Sequence, residues 1–171
     1  MKPMLQWLTD PTFFQVNRLD AHSDHRCYAS REEMEAEQSS LYMSLDGSWL
    51  FSYSPSVAQR PDRVWENGAA EQGFAPIQVP GHMELQGYGQ IHYTNVLYPW
   101  DGKAEILPPE IDWEHTAVGS YVRRFTLPEN FRDKRVCISF QGVERAFYVW
   151  LNGQFVGYSE DSFTPADFDL T

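Results

Sequence analysis

Phe147-Tyr148-Val149-Trp150-Leu151-Asn152-Gly153-Gln154-Phe155-Val156-Gly157-Tyr158 is the stretch that decides the fold. Two aromatic, β-branched runs flank Asn152-Gly153, a dipeptide that tolerates positive φ at both central positions of a type I′ turn. The stretch predicts a β-hairpin. The same pattern continues outward. Arg135 to Phe140 alternates, with Val136, Ile138 and Phe140 on one face, and Ser120 to Leu127 reads as another strand. Asp46-Gly47 is a turn, after which Trp49, Phe51 and Tyr53 alternate with Ser48, Leu50 and Ser52 as a half-buried strand. Ser30-Arg31-Glu32-Glu33 is a capping box, and the helix formers Met34 to Glu37 extend it into a short helix. Residues 1–26 carry Trp7, Phe13 and Phe14 without a clear period, as expected of an arm draped over a body. Short strands, frequent turns and little helix predict an all-β, jelly-roll-like β-sandwich over residues 27–171, preceded by that arm.

Composition bounds the possibilities. A chain of 171 residues fits one domain, and aromatics at 15% with eleven Gly and eleven Pro favour strands and turns. The net charge of −11 excludes nucleic acid as a partner, because a phosphate backbone needs a cationic face, and it equally disfavours an anionic membrane. Cys27 and Cys137 form no metal-spaced pair and no disulfide framework. The segment Met1 to Trp7 lacks the apolar run of a signal peptide, and nothing later resembles a membrane span, so a cytoplasmic location is expected. The last residues, Asp167 to Thr171, read as structured sequence, as in a piece of a longer polypeptide.

Chemical motifs are sparse. Gly87-Tyr88-Gly89 lacks the third glycine and the strand–helix setting of a dinucleotide fingerprint. His22 and His25 flank Asp24 without further ligands at metal spacing, which reads as a polar, solvated loop. Glu105, Glu110, Asp112 and Glu114 crowd one loop, read as solvated because no apolar pocket is evident to raise a carboxyl pKa. No catalytic constellation is complete, and no residue here is assigned a catalytic role. One segment stands apart: Ile91-His92-Tyr93-Thr94-Asn95-Val96-Leu97-Tyr98-Pro99-Trp100 gathers three aromatics and the ring of His92 around the single amide of Asn95. An amide among rings suits a sugar, which offers hydroxyls at its edge and an apolar C–H face. It equally suits an Asn that only satisfies backbone groups in a turn.

Several segments in order resemble the N-terminal domain of the large cytoplasmic β-galactosidases of glycoside hydrolase family 2. They are Asn17-Arg18-Leu19-x-Ala21-His22, Ser44 to Phe51, Val79 to Tyr88, Tyr93-Thr94-Asn95-Val96-x-Tyr98-Pro99, Gly119-Ser120-Tyr121, Phe140 to Phe147, Trp150 to Tyr158, and Asp161 to Leu170. The resemblance implies a galactose-binding-domain-like sandwich in an enzyme that hydrolyses terminal β-galactosides with retention. Its two catalytic Glu residues would lie on a (β/α)8 barrel beyond Thr171. It also implies a β-galactoside substrate, the remaining domains of the same enzyme as partners, a homo-oligomeric or heteromeric assembly, and Mg²⁺ and Na⁺ at sites mainly outside this chain. Asn95 aligns with the Asn that hydrogen-bonds the galactosyl ring. Asp10, Phe13 and Glu160 align with an Asn, a backbone carbonyl and a Gln that help hold a peripheral Mg²⁺. Two amides have thus become carboxylates, harder oxygen donors still suited to that ion. A stand-alone carbohydrate-binding module using Trp100 and Trp113, and a purely structural docking domain, are the alternative readings.

Overall fold

A computed structural model describes residues 2–23, 25–66, 68, 73–91, 95 and 105–171. Its regular elements are β1 (Gln15–Val16), α1 (Arg31–Glu35), β2 (Gly47–Ser54), β3 (Ala75–Val79), β4 (Val118–Val122), β5 (Cys137–Phe140), β6 (Phe147–Leu151), β7 (Gln154–Ser159) and β8 (Ala166–Asp169). The strands pair antiparallel in the orders β1-β7-β6, β3-β2-β4 and β5-β8, so the chain is the all-β sandwich that its patterning predicts.

The hairpin forms where expected. Asn152 has φ 50° and Gly153 φ 82°, the positive values that the two-residue turn demands. Farther from the turn the register slips: Val149 faces Gly157, whereas Trp150 faces Phe155, so Val156 is a bulge. The Val156 carbonyl accepts a 2.8 Å hydrogen bond from the side-chain amide of Asn17, at the end of β1. β6 is apolar on both faces, and each face has its own partners. Phe147 meets Phe140 and Phe168 edge-on, at 5.1 and 6.1 Å between ring centroids. Tyr148 and Trp150, pointing the other way, stack at 5.9 Å, and Trp150 also stacks on Trp65 at 4.8 Å.

The arm closes that second face. Trp7, in a 3-10 turn at Leu5–Thr9, is 3% exposed and rests on Phe13, Tyr148, Phe155 and the fully buried Tyr158. Burying an indole of roughly 200 Å² at about 25 cal/mol/Å² contributes on the order of 5 kcal/mol before ordering costs. β1 then adds to the edge of β7, with Val16 opposite Tyr158. Arg18 bridges across to Phe168 of β8, and the Leu19 N–H donates to the Asp167 carbonyl at 2.8 Å. The stretch from Gln15 to Leu19 thus joins β7 to β8.

Three local outcomes differ from the sequence reading. α1 ends at Glu35, and Glu37 takes a positive φ of 54°. Glu33 carries the reason: its Oε2 accepts both the Ala29 N–H (3.0 Å) and the Ser40 N–H (3.1 Å), which draws the flanking chain into a closed loop. β4 stops at Val122, not Leu127, because the Arg123 side chain donates to the Ser48 carbonyl that a longer strand would use. β5 begins at Cys137, two residues later than the alternation suggests.

In the second sheet, β3 is an edge strand. Gln86 covers it: its Nε2 donates to the Gln78 carbonyl at 3.0 Å and its Oε1 accepts the Gln78 N–H at 2.9 Å, as a neighbouring strand would. This pins the loop that runs on towards Asn95.

Candidate functional site

The loop over the second sheet is seated on aromatic rings. Tyr88 lies 4.7 Å from Phe51 and 6.3 Å from Tyr53, and Phe51 lies 4.7 Å from Tyr121. Gly89, with φ 75°, passes so close that a Cβ there would stand 3.2 Å from the Tyr53 hydroxyl. Burial, and then the nearby charge of Glu84, raises the Tyr121 phenol above its ordinary pKa, so it stays a neutral packing group. From this support the chain reaches Asn95, which is exposed at a turn. Residues 92–94 and 96–104, including the rings of Tyr93, Tyr98 and Trp100, lie outside the described residues. Leu85 and Ile91, on the way to Asn95, are 73% and 69% exposed.

The second candidate locus is at the arm. Asp10 forms an Asx-type turn: its Oδ1 accepts the Thr12 N–H at 3.0 Å and the Thr12 hydroxyl at 2.6 Å. Those bonds, the hydroxyl's first, hold the Asp10 carboxyl below the usual range and keep it charged. The Phe13 N–H donates to the Asp10 carbonyl at 3.0 Å, completing the turn. Glu160 arrives from the end of β7, and its N–H donates to the Phe14 carbonyl at 3.1 Å. Its Oε1 accepts the hydroxyl of the buried Tyr158. The structure therefore joins the Asp10–Phe13 turn to Glu160 through the Phe14 backbone. Two carboxylates and a main-chain carbonyl are a donor set that a hard divalent cation accepts. Among the described residues, no group of three or more His, Cys, Asp and Glu side chains is placed to hold a metal, and the Asp10, Phe13, Glu160 set is not of that kind.

Sequence reasoning missed Arg18 as a hub. Its side chain is 6% exposed, and its guanidinium donates to Ser159 Oγ (3.2 Å), Thr164 Oγ1 (2.5 Å) and the Pro165 carbonyl (3.1 Å), with Asp161 at 3.7 Å. Asp161 in turn accepts from the Phe163 and Thr164 amides and the Thr164 hydroxyl, fixing a loop that leaves Phe163 96% exposed. No local pattern marks such an arginine; only its place in Asn17-Arg18-Leu19 was a signal. Two acidic and imidazole readings also change. Asp112 is buried, not solvated: its carboxylate accepts the Glu114 and His115 amides at 3.0 and 3.1 Å and the His115 Nδ1 at 2.6 Å. His22 is bound to Asp167 at 2.8 Å across 145 residues of sequence. Trp113 is half-buried, and its carbonyl accepts the Val57 N–H at 3.4 Å.

Residues 42–171 match the family described as glycosyl hydrolases family 2, sugar binding domain. The chain belongs to that family. Over its full length it is 49% identical to the β-galactosidase large subunit of Latilactobacillus sakei, spanning 29% of that protein. It is 52% identical over 98% of its length to a β-galactosidase of Halalkalibacterium halodurans and 50% identical over 98% to one of Lactobacillus delbrueckii subsp. bulgaricus. The chain spans only 17% and 16% of the length of those two relatives. Among solved structures, a β-glucuronidase of an uncultured Clostridium sp. superposes with a TM-score of 0.51 at 19% identity, covering 75% of this chain and 19% of that one. At that identity the likeness is one of fold alone. Among the described residues, no helix is long and apolar enough to cross a membrane.

Proposed function

We propose that this family 2 domain supplies one wall of the galactose site of a β-galactosidase that hydrolyses terminal non-reducing β-D-galactosides, lactose among them, with retention. The observation that carries the reading is identity near 50% over almost the whole chain to proteins bearing that name. In this reading Asn95 donates to and accepts from a galactosyl hydroxyl, and the two catalytic glutamates are furnished by a barrel domain of the same polypeptide. Each carboxylate of that pair has a distinct task, one protonating the leaving oxygen and one forming the glycosyl-enzyme. The domain itself contributes position and specificity. Asp10, the Phe13 carbonyl and Glu160 would hold a peripheral Mg²⁺, whose charge would tie the arm to the end of β7. The principal Mg²⁺ and the Na⁺ belong to other parts of the enzyme. In this reading the enzyme is cytoplasmic, and it works as an assembly of subunits, the latter supported by the large-subunit name of one relative.

Asn95→Ala in the full-length enzyme tests this. Paired hydrogen bonds to neutral groups are worth about 0.5–1.5 kcal/mol each, so kcat/KM should fall by about one to two orders of magnitude. The loss should shrink for substrates lacking the hydroxyl that Asn95 contacts, because those substrates forfeit the contact in the wild-type enzyme as well. Unchanged kinetics with a lowered Tm would end the case for Asn95 as a ligand. The 171-residue chain alone should hydrolyse no aryl β-galactoside; binding of galactose by that chain unaided would favour the stand-alone module.

A further inference from the structure

We propose that His22 is a proton-dependent latch that fastens the end of the arm to β8. His22 Nδ1 lies 2.9 Å from the Ser23 carbonyl and Nε2 lies 2.8 Å from Asp167 Oδ2. A carbonyl can only accept, and an ionised carboxylate can only accept. A neutral imidazole has a single N–H and leaves one of these contacts as lone pair against lone pair. The geometry therefore holds one proton more than a neutral imidazole beside a carboxylate, which makes the pair imidazolium and carboxylate.

The surroundings favour that state. Asp167 is 15% exposed and His22 43%, so the pair is partly shielded while the imidazole remains open to proton exchange. Asp167 Oδ1 is buried and has no hydrogen-bond partner among the described residues, so the imidazolium is the near charge that compensates this carboxylate. The other titratable groups are disposed around the pair as follows. Asp169 on β8 is bound to Arg135 at 2.8 Å, and Cys137 faces Asp169 in the β5–β8 register. Arg18, earlier on the arm, is committed to the 159–165 segment. His25 stands edge-on to His22 at 4.9 Å, with its own Nδ1 3.2 Å from the Ser23 carbonyl. Asp24 lies outside the described residues. No cation other than His22 is bonded to Asp167 among the described residues, so deprotonation of the ring loosens the segment that it anchors.

Hydrogen exchange read by mass spectrometry on the full-length protein tests the latch, followed at the Leu19 amide, which donates to the Asp167 carbonyl, and corrected for its intrinsic rate. Wild-type protection should fall about threefold to fivefold between about pH 5.5 and pH 8, the range in which an imidazole loses its charge. His22→Gln keeps a donor towards Asp167 at every pH, and Asp167→Asn can turn either end of its amide to the ring. Both should therefore give flat profiles, and two independent variants guard against one that misfolds. Wild-type protection that does not fall with pH, or an equal fall in both variants, would overturn the proposal.

Discussion

Replacing Gly157 by Ala would ordinarily help a strand, since removing glycine's freedom in the unfolded chain stabilises by about 0.4–1 kcal/mol where the backbone permits it. Here the sign should reverse. A Cβ at Gly157 would stand 2.3 and 2.5 Å from the Cε1 and Cδ1 of Phe168 and 2.6 Å from the Val16 carbonyl oxygen. Carbon atoms pack at about 3.5–4.0 Å, so the ring overlap exceeds about 1 Å. Neither neighbour is free to yield: Phe168 is fully buried against Phe140 and Phe147, and Val16 is held in register with Tyr158. Overpacking costs typically about 1–3 kcal/mol, and an overlap this deep against fixed neighbours belongs at the upper end, which after the entropic gain leaves a net loss of about 2 kcal/mol. With a urea slope of about 2 kcal/mol/M, the unfolding midpoint should drop by about 1 M, read by tryptophan fluorescence. A second variant isolates the cause. Phe168→Leu alone should cost about 1 kcal/mol, yet the double variant should lose less than the sum of the two by about 1 kcal/mol, because the ring that the added methyl strikes is gone. A midpoint unchanged or raised in Gly157→Ala, or strict additivity in the double variant, would refute the reasoning.

Other outcomes follow from the same geometry. Arg18→Met should lower stability by about 2–3 kcal/mol, since it strips the buried Ser159 hydroxyl and the Pro165 carbonyl of a charged donor, and thermal melts with limited proteolysis of residues 1–20 should register both the loss and a freed arm. Gly153→Ala should cost about 1 kcal/mol, because φ is 82° there, and Gly153→Asn should cost less; urea midpoints decide between them. Asp169 is held at a pKa of about 2, first by the Thr171 N–H and then by the Thr171 hydroxyl and Arg135. A depressed carboxyl stabilises fully above its unfolded pKa near 4 and loses that contribution as pH falls towards about 2, so carboxyl NMR titration should show Asp169 charged at about pH 3 and Asp169→Asn should flatten the acid limb of stability. If Asp10 and Glu160 share Mg²⁺, the ion should slow digestion of residues 1–20 in the full-length enzyme and Asp10→Ala should abolish that protection; equal digestion rates with and without the ion in wild type would leave the two carboxylates to their hydrogen bonds with Thr12 and Tyr158 alone.

What could be read from the sequence, and what could not, divides by the range of the physics involved. The hairpin was legible because its cause is local: Asn152 and Gly153 must take positive φ, and few other dipeptides do so cheaply. The capping box was legible for the same reason, although the helix length was not, since Glu33 also bonds Ser40, seven residues on. Every misread polar residue was settled by a partner distant in sequence or by burial. Arg18 meets Ser159 at a separation of 141 residues, and His22 meets Asp167 at 145. Asp112 sits in a run of acids that looks solvated, yet it folds inward onto two amides and an imidazole. Periodicity cannot find such pairs, because one residue's burial is decided by a surface that another segment supplies. The candidate site divides along the same line. The ring support beneath Tyr88 and Gly89 draws on the alternating Phe51 and Tyr53, whereas the link between the Asp10 turn and Glu160 depends on β1 adding to the edge of β7, a long-range pairing that two residues of strand do not announce. That pairing makes the arm part of the fold. Trp7 completes the core cluster around Tyr158, the bulge at Val156 exposes a carbonyl for Asn17, and Gly157 leaves the space in which β1 and Phe168 both fit. A change at any of these positions should therefore be felt first in the arm, and through it at Asp10 and Glu160, before it is felt at Asn95.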